Sequence, residues 1–226
     1  MKKIINGIII ALFLVGISLI SYSVYQIVTG NIEVEKRLKE ARERIEQAKA
    51  NVDIEENGNA NYHEGTWDEN KSNITGEFID PKDIQFSKGD IIGILHVPKL
   101  NRELPIVEGT DEAQLSVGVG HYIGTGYPLQ DTQILLSGHR DTVFKNFKEL
   151  EIGDTFILEL PYGTFEYVIE DFEIVDADDT TVIGRYTDKE VLTVTTCYPF
   201  NWLGNAPDRA VFWAWPKDGT KSASSK

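Results

Sequence analysis

Val191-Leu192-Thr193-Val194-Thr195-Thr196-Cys197, followed at once by Tyr198-Pro199, is a run of aliphatic and β-branched residues that ends on the only cysteine of the 226-residue chain. Such a run reads as a strand. The proline two residues on has no N–H for a ladder and marks where the chain must leave the sheet. The thiol therefore stands at a strand end, from which a side chain can face a cleft. The same texture extends to both sides, in Asp90 to Val97, Leu104 to Val107, Gln133 to Ser137, Thr155 to Leu160, Gly163 to Val175, Glu190 to Thr196 and Ala210 to Trp215. These runs are punctuated by Gly and Pro, and only Ala113 to Val117 and Phe144 to Leu150 read as short helical turns. The pattern predicts an all-β domain over residues 86–217, a closed or nearly closed barrel or a sandwich.

Upstream the chain changes character. No Asp, Glu, Lys or Arg occurs between Lys3 and Glu33, and Ile4 to Val28 is dominated by Ile, Leu, Val, Phe and Gly. At about 1.5 Å per helical residue this stretch spans a hydrocarbon core of roughly 30 Å. It exceeds a typical signal-peptide core and is not followed by a clean small-x-small cleavage site, so residues 1–30 read as an uncleaved signal anchor. Lys2 and Lys3 place the N-terminus in the cytoplasm and the rest of the chain outside. Residues 31–85 follow as stalk and spacer. Val34, Leu38, Ala41, Ile45, Ala48 and Val52 form a heptad-like seam in a stretch without Gly or Pro, read as a solvated stalk helix or a weak coiled coil. An acidic, flexible spacer then contains Asn57-Gly58-Asn59 and the sequon Asn73-Ile74-Thr75. Residues 218–226 form a polar tail.

Composition removes several classes of function. One cysteine permits neither an intramolecular disulfide nor a multi-thiolate zinc site. A net charge of −14, of which −11 falls on residues 86–217, argues against nucleic-acid binding, which needs a basic face.

The reactive candidates are few. Cys197 reads equally as a nucleophile or as a buried structural thiol. Outside a cell an unpaired thiol is an oxidation liability, so its presence calls for a role. His139 ends the apolar run in Leu135-Leu136-Ser137-Gly138-His139-Arg140-Asp141. It can supply the base that a thiol of ordinary pKa, about 8.5, needs in order to attack an amide. The two lie 58 positions apart, and spacing alone does not say whether they meet. Arg209, at the start of the last strand, reads either as an oxyanion or carbonyl holder or as a surface partner of Asp208.

Together, Thr193-Val194-Thr195-Thr196-Cys197, the upstream Ser137-Gly138-His139-Arg140-Asp141, the downstream Arg209 and the N-terminal anchor resemble the sortases, membrane-bound cysteine transpeptidases of Gram-positive bacteria. Gly89 to Pro98, Leu104 to Thr110 and Gly118-Val119-Gly120-His121-Tyr122 are similar to further family segments. The family pattern usually has leucine where Val194 stands. The resemblance implies a sortase-type β-barrel of about seven to eight strands with short helices. It implies that Cys197 attacks the threonine carbonyl of a Leu-Pro-x-Thr-Gly-like sorting signal near the C-terminus of a secreted protein. His139 would serve as acid and base, and Arg209 would hold substrate and oxyanion. An amine of the cell-wall precursor or peptidoglycan would then resolve the thioester, with no metal or organic cofactor required. Thr196 and His121 enter as substrate-binding or supporting residues, His121 being the rival for the base.

Polar tail residues after Lys217 and Lys82 following Asp80-Pro81 count against the pilus-polymerising branch, and the Thr-Cys-Tyr-Pro-Phe stretch is more similar to class D. A non-catalytic anchored scaffold is the remaining alternative. His63 and His96 read as structural or incidental, and Asp141 as a partner of Arg140 or a loop-positioning residue. Glu170, Asp171, Glu173, Asp176, Asp178 and Asp179 raise a calcium hypothesis, but strand alternation splits them between two faces and a solvated acidic edge is the favoured reading.

Overall fold

The computed structural model describes residues 2–57, 84–202 and 204–217. Helix α1 spans Lys2–Asn57. Eight strands follow: β1 Ile91–Val97, β2 Arg102–Glu108, β3 Val119–His121, β4 Gln133–Gly138, β5 Thr155–Leu160, β6 Gly163–Asp176, β7 Val191–Tyr198 and β8 Asp208–Pro216. The short helix α2, Glu112–Leu115, lies between β2 and β3, and a single 3-10 turn, Phe147–Glu149, lies between β4 and β5.

The strands close into a barrel in the order β1-β2-β3-β4-β7-β8-β6-β5, with β5 paired back to β1. Two neighbouring pairs, β2 with β3 and β4 with β7, are parallel and the others antiparallel. All seven strands expected from the alternation of the sequence are present. The eighth, β3, has three residues including Gly120, too few to show a period.

Alternation along each strand separates an inner from an outer face. Leu192 and Val194 of β7, Ala210, Phe212 and Ala214 of β8, and Ile134 and Leu136 of β4 point inward. They close on an aromatic stack in which Phe147 lies 4.1 Å from Phe144 and 6.1 Å from Phe212, ring to ring. Each such side chain contributes about 1.5–3 kcal/mol by leaving water. On the outside, Val191, Val211 and Trp213 are buried too, because the segment between β6 and β7 lies over them with Val182, Ile183 and Tyr186. Gln133 fastens that segment. Its amide nitrogen donates to Val182 O at 2.9 Å and to Thr193 Oγ1 at 2.7 Å, and its amide oxygen accepts from Gly184 N at 2.6 Å.

The anchor and stalk are one continuous helix. Its N-terminal part is long and apolar enough to cross a membrane, with a mean hydropathy of 1.7 in an 18-residue window and none of that window buried. This fits a single membrane anchor. Farther along, part of the heptad-like seam is docked on the barrel rather than solvated. Leu38, Ala41 and Ile45 pack on Ile91 and Ile94, the outer face of β1. Arg42 pairs with Glu103 of β2, and Lys49 with Glu159 of β5 at 2.7 Å. Gly93 lets β5 come close here, since a Cβ would stand 2.3 Å from Glu159 O. His63, the sequon at Asn73, Asp80-Pro81 and the polar tail lie outside the described residues.

Candidate active site

Strand register brings three of the five expected site residues together. In the parallel β4–β7 ladder Gly138 is level with Thr196, so His139 emerges beside Cys197 although the two lie 58 positions apart in sequence. In the antiparallel β7–β8 ladder Cys197 is the direct partner of Arg209, which sets their Cβ atoms about 4.5–5.5 Å apart. Cys197 is partly exposed and free, Arg209 is partly exposed, and the His139 side chain is 37% exposed although its Nε2 atom is itself buried. Cys197 and Arg209 lie on the outer face with Thr195 and Val211.

The surroundings of each residue are specific. His139 Nε2 lies 3.4 Å from Glu112 Oε2 of α2, a charge-pair distance without a hydrogen bond's alignment. Arg209 Nη1 donates to Asp208 O at 3.0 Å and to Ala206 O at 3.3 Å, which aims the guanidinium along the loop between β7 and β8. Thr196 is buried, and its hydroxyl donates to Gly138 O at 2.7 Å. It thus ties β7 to the strand end that carries His139, facing the barrel interior rather than the outer face that carries the thiol.

His121 is placed differently. It ends β3, is 1% exposed and has both ring nitrogens occupied. Nδ1 lies 2.8 Å from Glu108 Oε2, and Nε2 lies 2.9 Å from Gly126 O and 3.1 Å from Thr125 Oγ1. The Thr125 hydroxyl donates to Tyr122 O at 2.8 Å, so its oxygen faces the imidazole as an acceptor. With both ring nitrogens engaged inside the protein, neither is open to a substrate. Tyr127 stacks on it at 4.6 Å and donates to Glu108 Oε2 at 3.0 Å. Burial, and then the Glu108 carboxylate, push the Tyr127 phenol above its ordinary value and keep it a donor.

The sequence reading missed Glu108, Tyr127, Gln133 and Arg140, four residues that hold the frame. Buried polar residues leave no periodic trace, although Glu108 ending an apolar strand is a signal that could have been taken up. Several of the acidic residues between 170 and 179 are used within their own turns and ladders. Glu173 accepts from Trp213 Nε1 at 2.9 Å and pairs with Arg185, Asp176 accepts from Asp178 N at 2.9 Å, and Asp179 accepts from Thr181 N at 2.8 Å. Among the described residues no group of three His, Cys, Asp or Glu is placed to hold a metal ion.

Residues 95–217 match the family described as Sortase domain. The chain is 42% identical over 213 residues to Sortase D of Bacillus subtilis strain 168, covering 94% of this chain and 98% of that one. Among solved structures, the catalytic domain of B. anthracis SrtD is 39% identical, with a TM-score of 0.51 over 60% of this chain and 92% of that one. A Clostridium perfringens Sortase D5 transpeptidase superposes with a TM-score of 0.58 over 82% of this chain and 98% of that one. At 21% identity that likeness is one of fold.

Proposed function

The chain belongs to the sortase family of transpeptidases, and from that premise we propose that Cys197 is its nucleophile, with His139 and Arg209 completing the site. The observation that carries this reading is the register, which sets Cys197 opposite Arg209 and level with the strand end bearing His139. The Cys197 thiolate attacks the threonine carbonyl of a Leu-Pro-x-Thr-Gly-like sorting signal, and the tetrahedral oxyanion forms beside the Arg209 guanidinium, a charge-assisted donor. His139, as imidazolium, gives its proton to the departing amine, and the C–N bond breaks to leave a thioester. An incoming cell-wall amine then loses a proton to His139 and displaces the thiolate. His121 and Thr196 support the site from beneath, through the buried pair with Glu108 and the bond to Gly138 O.

Substrates are secreted proteins with a C-terminal sorting signal, and the acceptor is an amine of the cell-wall precursor or peptidoglycan. Residues 4–28 span the cell membrane once, with the N-terminus cytoplasmic and the barrel outside. Mass spectrometry of the full chain mixed with a library of sorting peptides tests the chemistry. A mass increase of one acyl fragment on Cys197, lost in Cys197→Ala together with peptide cleavage, is the expected result. Cleavage that survives Cys197→Ala overturns the assignment.

A further inference from the structure

The residue after His139 is a buried cation that the proposed chemistry leaves unused. The Arg140 side chain is 5% exposed. Its Nη1 donates to Pro199 O at 3.0 Å, and its Nη2 to Trp202 O at 2.6 Å and Gly204 O at 3.0 Å. Its carboxylate contact is with Asp141, a side chain 73% exposed and 3.4 Å from Nε. The buried charge is therefore satisfied chiefly by three backbone carbonyls of one loop, the connection from β7 to β8. A buried guanidinium without partners is strongly unfavourable, so this loop is held round Arg140 by the same desolvation that would penalise its release. Carbonyls three and five residues apart along the loop are reached together because a guanidinium is a planar fork. An ammonium presents its donors from one atom and cannot span them in the same way.

The ends of this staple are the proposed catalytic groups. Arg140 adjoins His139, Pro199 stands two residues after Cys197, and Gly204 stands five before Arg209. Resting on the functional reading above, we infer that Arg140 is a positioning residue. It locks the loop between β7 and β8 onto the His139 strand end, so that acid, nucleophile and oxyanion donor keep one mutual geometry. Arg140 touches no reacting atom in this role.

The test uses the full chain in detergent with two substitutions, Arg140→Lys and Arg140→Met. Three readouts are compared with the wild type: hydrogen exchange of the backbone amides, kcat and KM for a sorting peptide, and thermal unfolding. In both variants, amides of residues 200–206 exchange faster while β4 and β7 keep their protection. The kcat falls by about tenfold or more with a smaller change in KM, as expected when reacting groups lose alignment. Lysine does not rescue, although it keeps the charge. Four results would each overturn the inference: wild-type kcat in Arg140→Lys, unchanged loop exchange, a rise in KM alone, or a loss of protection spread over the whole barrel. A wild-type chain that cleaves no peptide is a separate failure. It removes the functional reading itself, and with it the role given to Arg140, even where loop exchange rises.

Discussion

Burial separates the two histidines that compete for the base. His139 stands at a strand end with over a third of its side chain in solvent, whereas His121 is sealed against Glu108, Gly126 and Tyr127. A buried hydrogen-bonded group that loses one of its partners is left unsatisfied, which costs about 1–3 kcal/mol and more for a charged group. His121→Ala leaves the buried Glu108 carboxylate with Tyr127 but without its histidine partner, and Glu108→Gln takes the carboxylate away from the His121 ring. Each substitution therefore lowers the unfolding free energy obtained from a urea titration by an amount of that order. Alkylation of Cys197 by iodoacetamide in the fraction that remains folded keeps its wild-type rate. His139→Ala reverses the pattern, with a barrel of near wild-type stability and a site that has lost its acid. If His121→Ala removes thioester formation in a fully stable protein, the roles are exchanged. Side-chain identity alone left the two histidines close rivals. Only the register and the hydrogen-bond partners distinguish a structural imidazole from a reactive ring.

Among the elements, β1 shows how much a strand pattern reveals. Ile91-Ile92-Gly93-Ile94-Leu95 is buried without a break, whereas β5 alternates, because β1 is covered on its inner side by the barrel core and on its outer side by α1. An unbroken apolar run announces burial on two faces. It does not say what lies on top, so the seam of α1 was legible as a seam while its docking partner was not. Ile45→Asp places a carboxylate on that contact and forfeits about 1.5–3 kcal/mol of apolar burial. Limited proteolysis should then cut within residues 31–57 while the barrel stays intact, and protection equal to wild type would show that the contact holds nothing in place. The rim of the same contact is charged: His96 lies between Glu103 and Glu159, at 3.5 and 2.9 Å, and these carboxylates also pair with Arg42 and Lys49. Desolvation raises the Glu159 pKa, but Lys49 and His96 outweigh it and hold the carboxyl below its ordinary 4.5. A carboxyl depressed in the docked state contributes stability above its free value and loses it as pH falls through the docked value. Helix release in acid, followed by the same proteolysis, therefore begins below about pH 4.5. The other strands were readable because β-branched alternation has a period. The carbonyl staple of Arg140 was not, because a lone arginine in a motif reads as a surface residue until its surroundings are known.

At the scale of the whole molecule, α1 joins membrane and barrel without a break, and only about ten residues separate Val28, the end of the apolar stretch, from Leu38, the first side chain packed on β1. At about 1.5 Å per residue this is a gap of roughly 15 Å, so the docked barrel is carried close to the membrane surface rather than at the end of a long tether. The −11 charge of residues 86–217 disfavours contact with anionic headgroups, which makes the docked helix rather than electrostatic adsorption the means of holding the barrel there. The proposed orientation, with the barrel outside, rests on Lys2 and Lys3, the charges that precede the apolar stretch. The same single cysteine that first excluded disulfides makes this side measurable, since Cys197 is the sole thiol in the chain and is partly exposed. A membrane-impermeant maleimide applied to intact cells should modify the wild-type chain, and Cys197→Ala should remain unmodified under the same conditions. With the barrel outside, permeabilising the cells adds no further labelling. Modification that appears only after permeabilisation would put the barrel in the cytoplasm and overturn the proposed orientation.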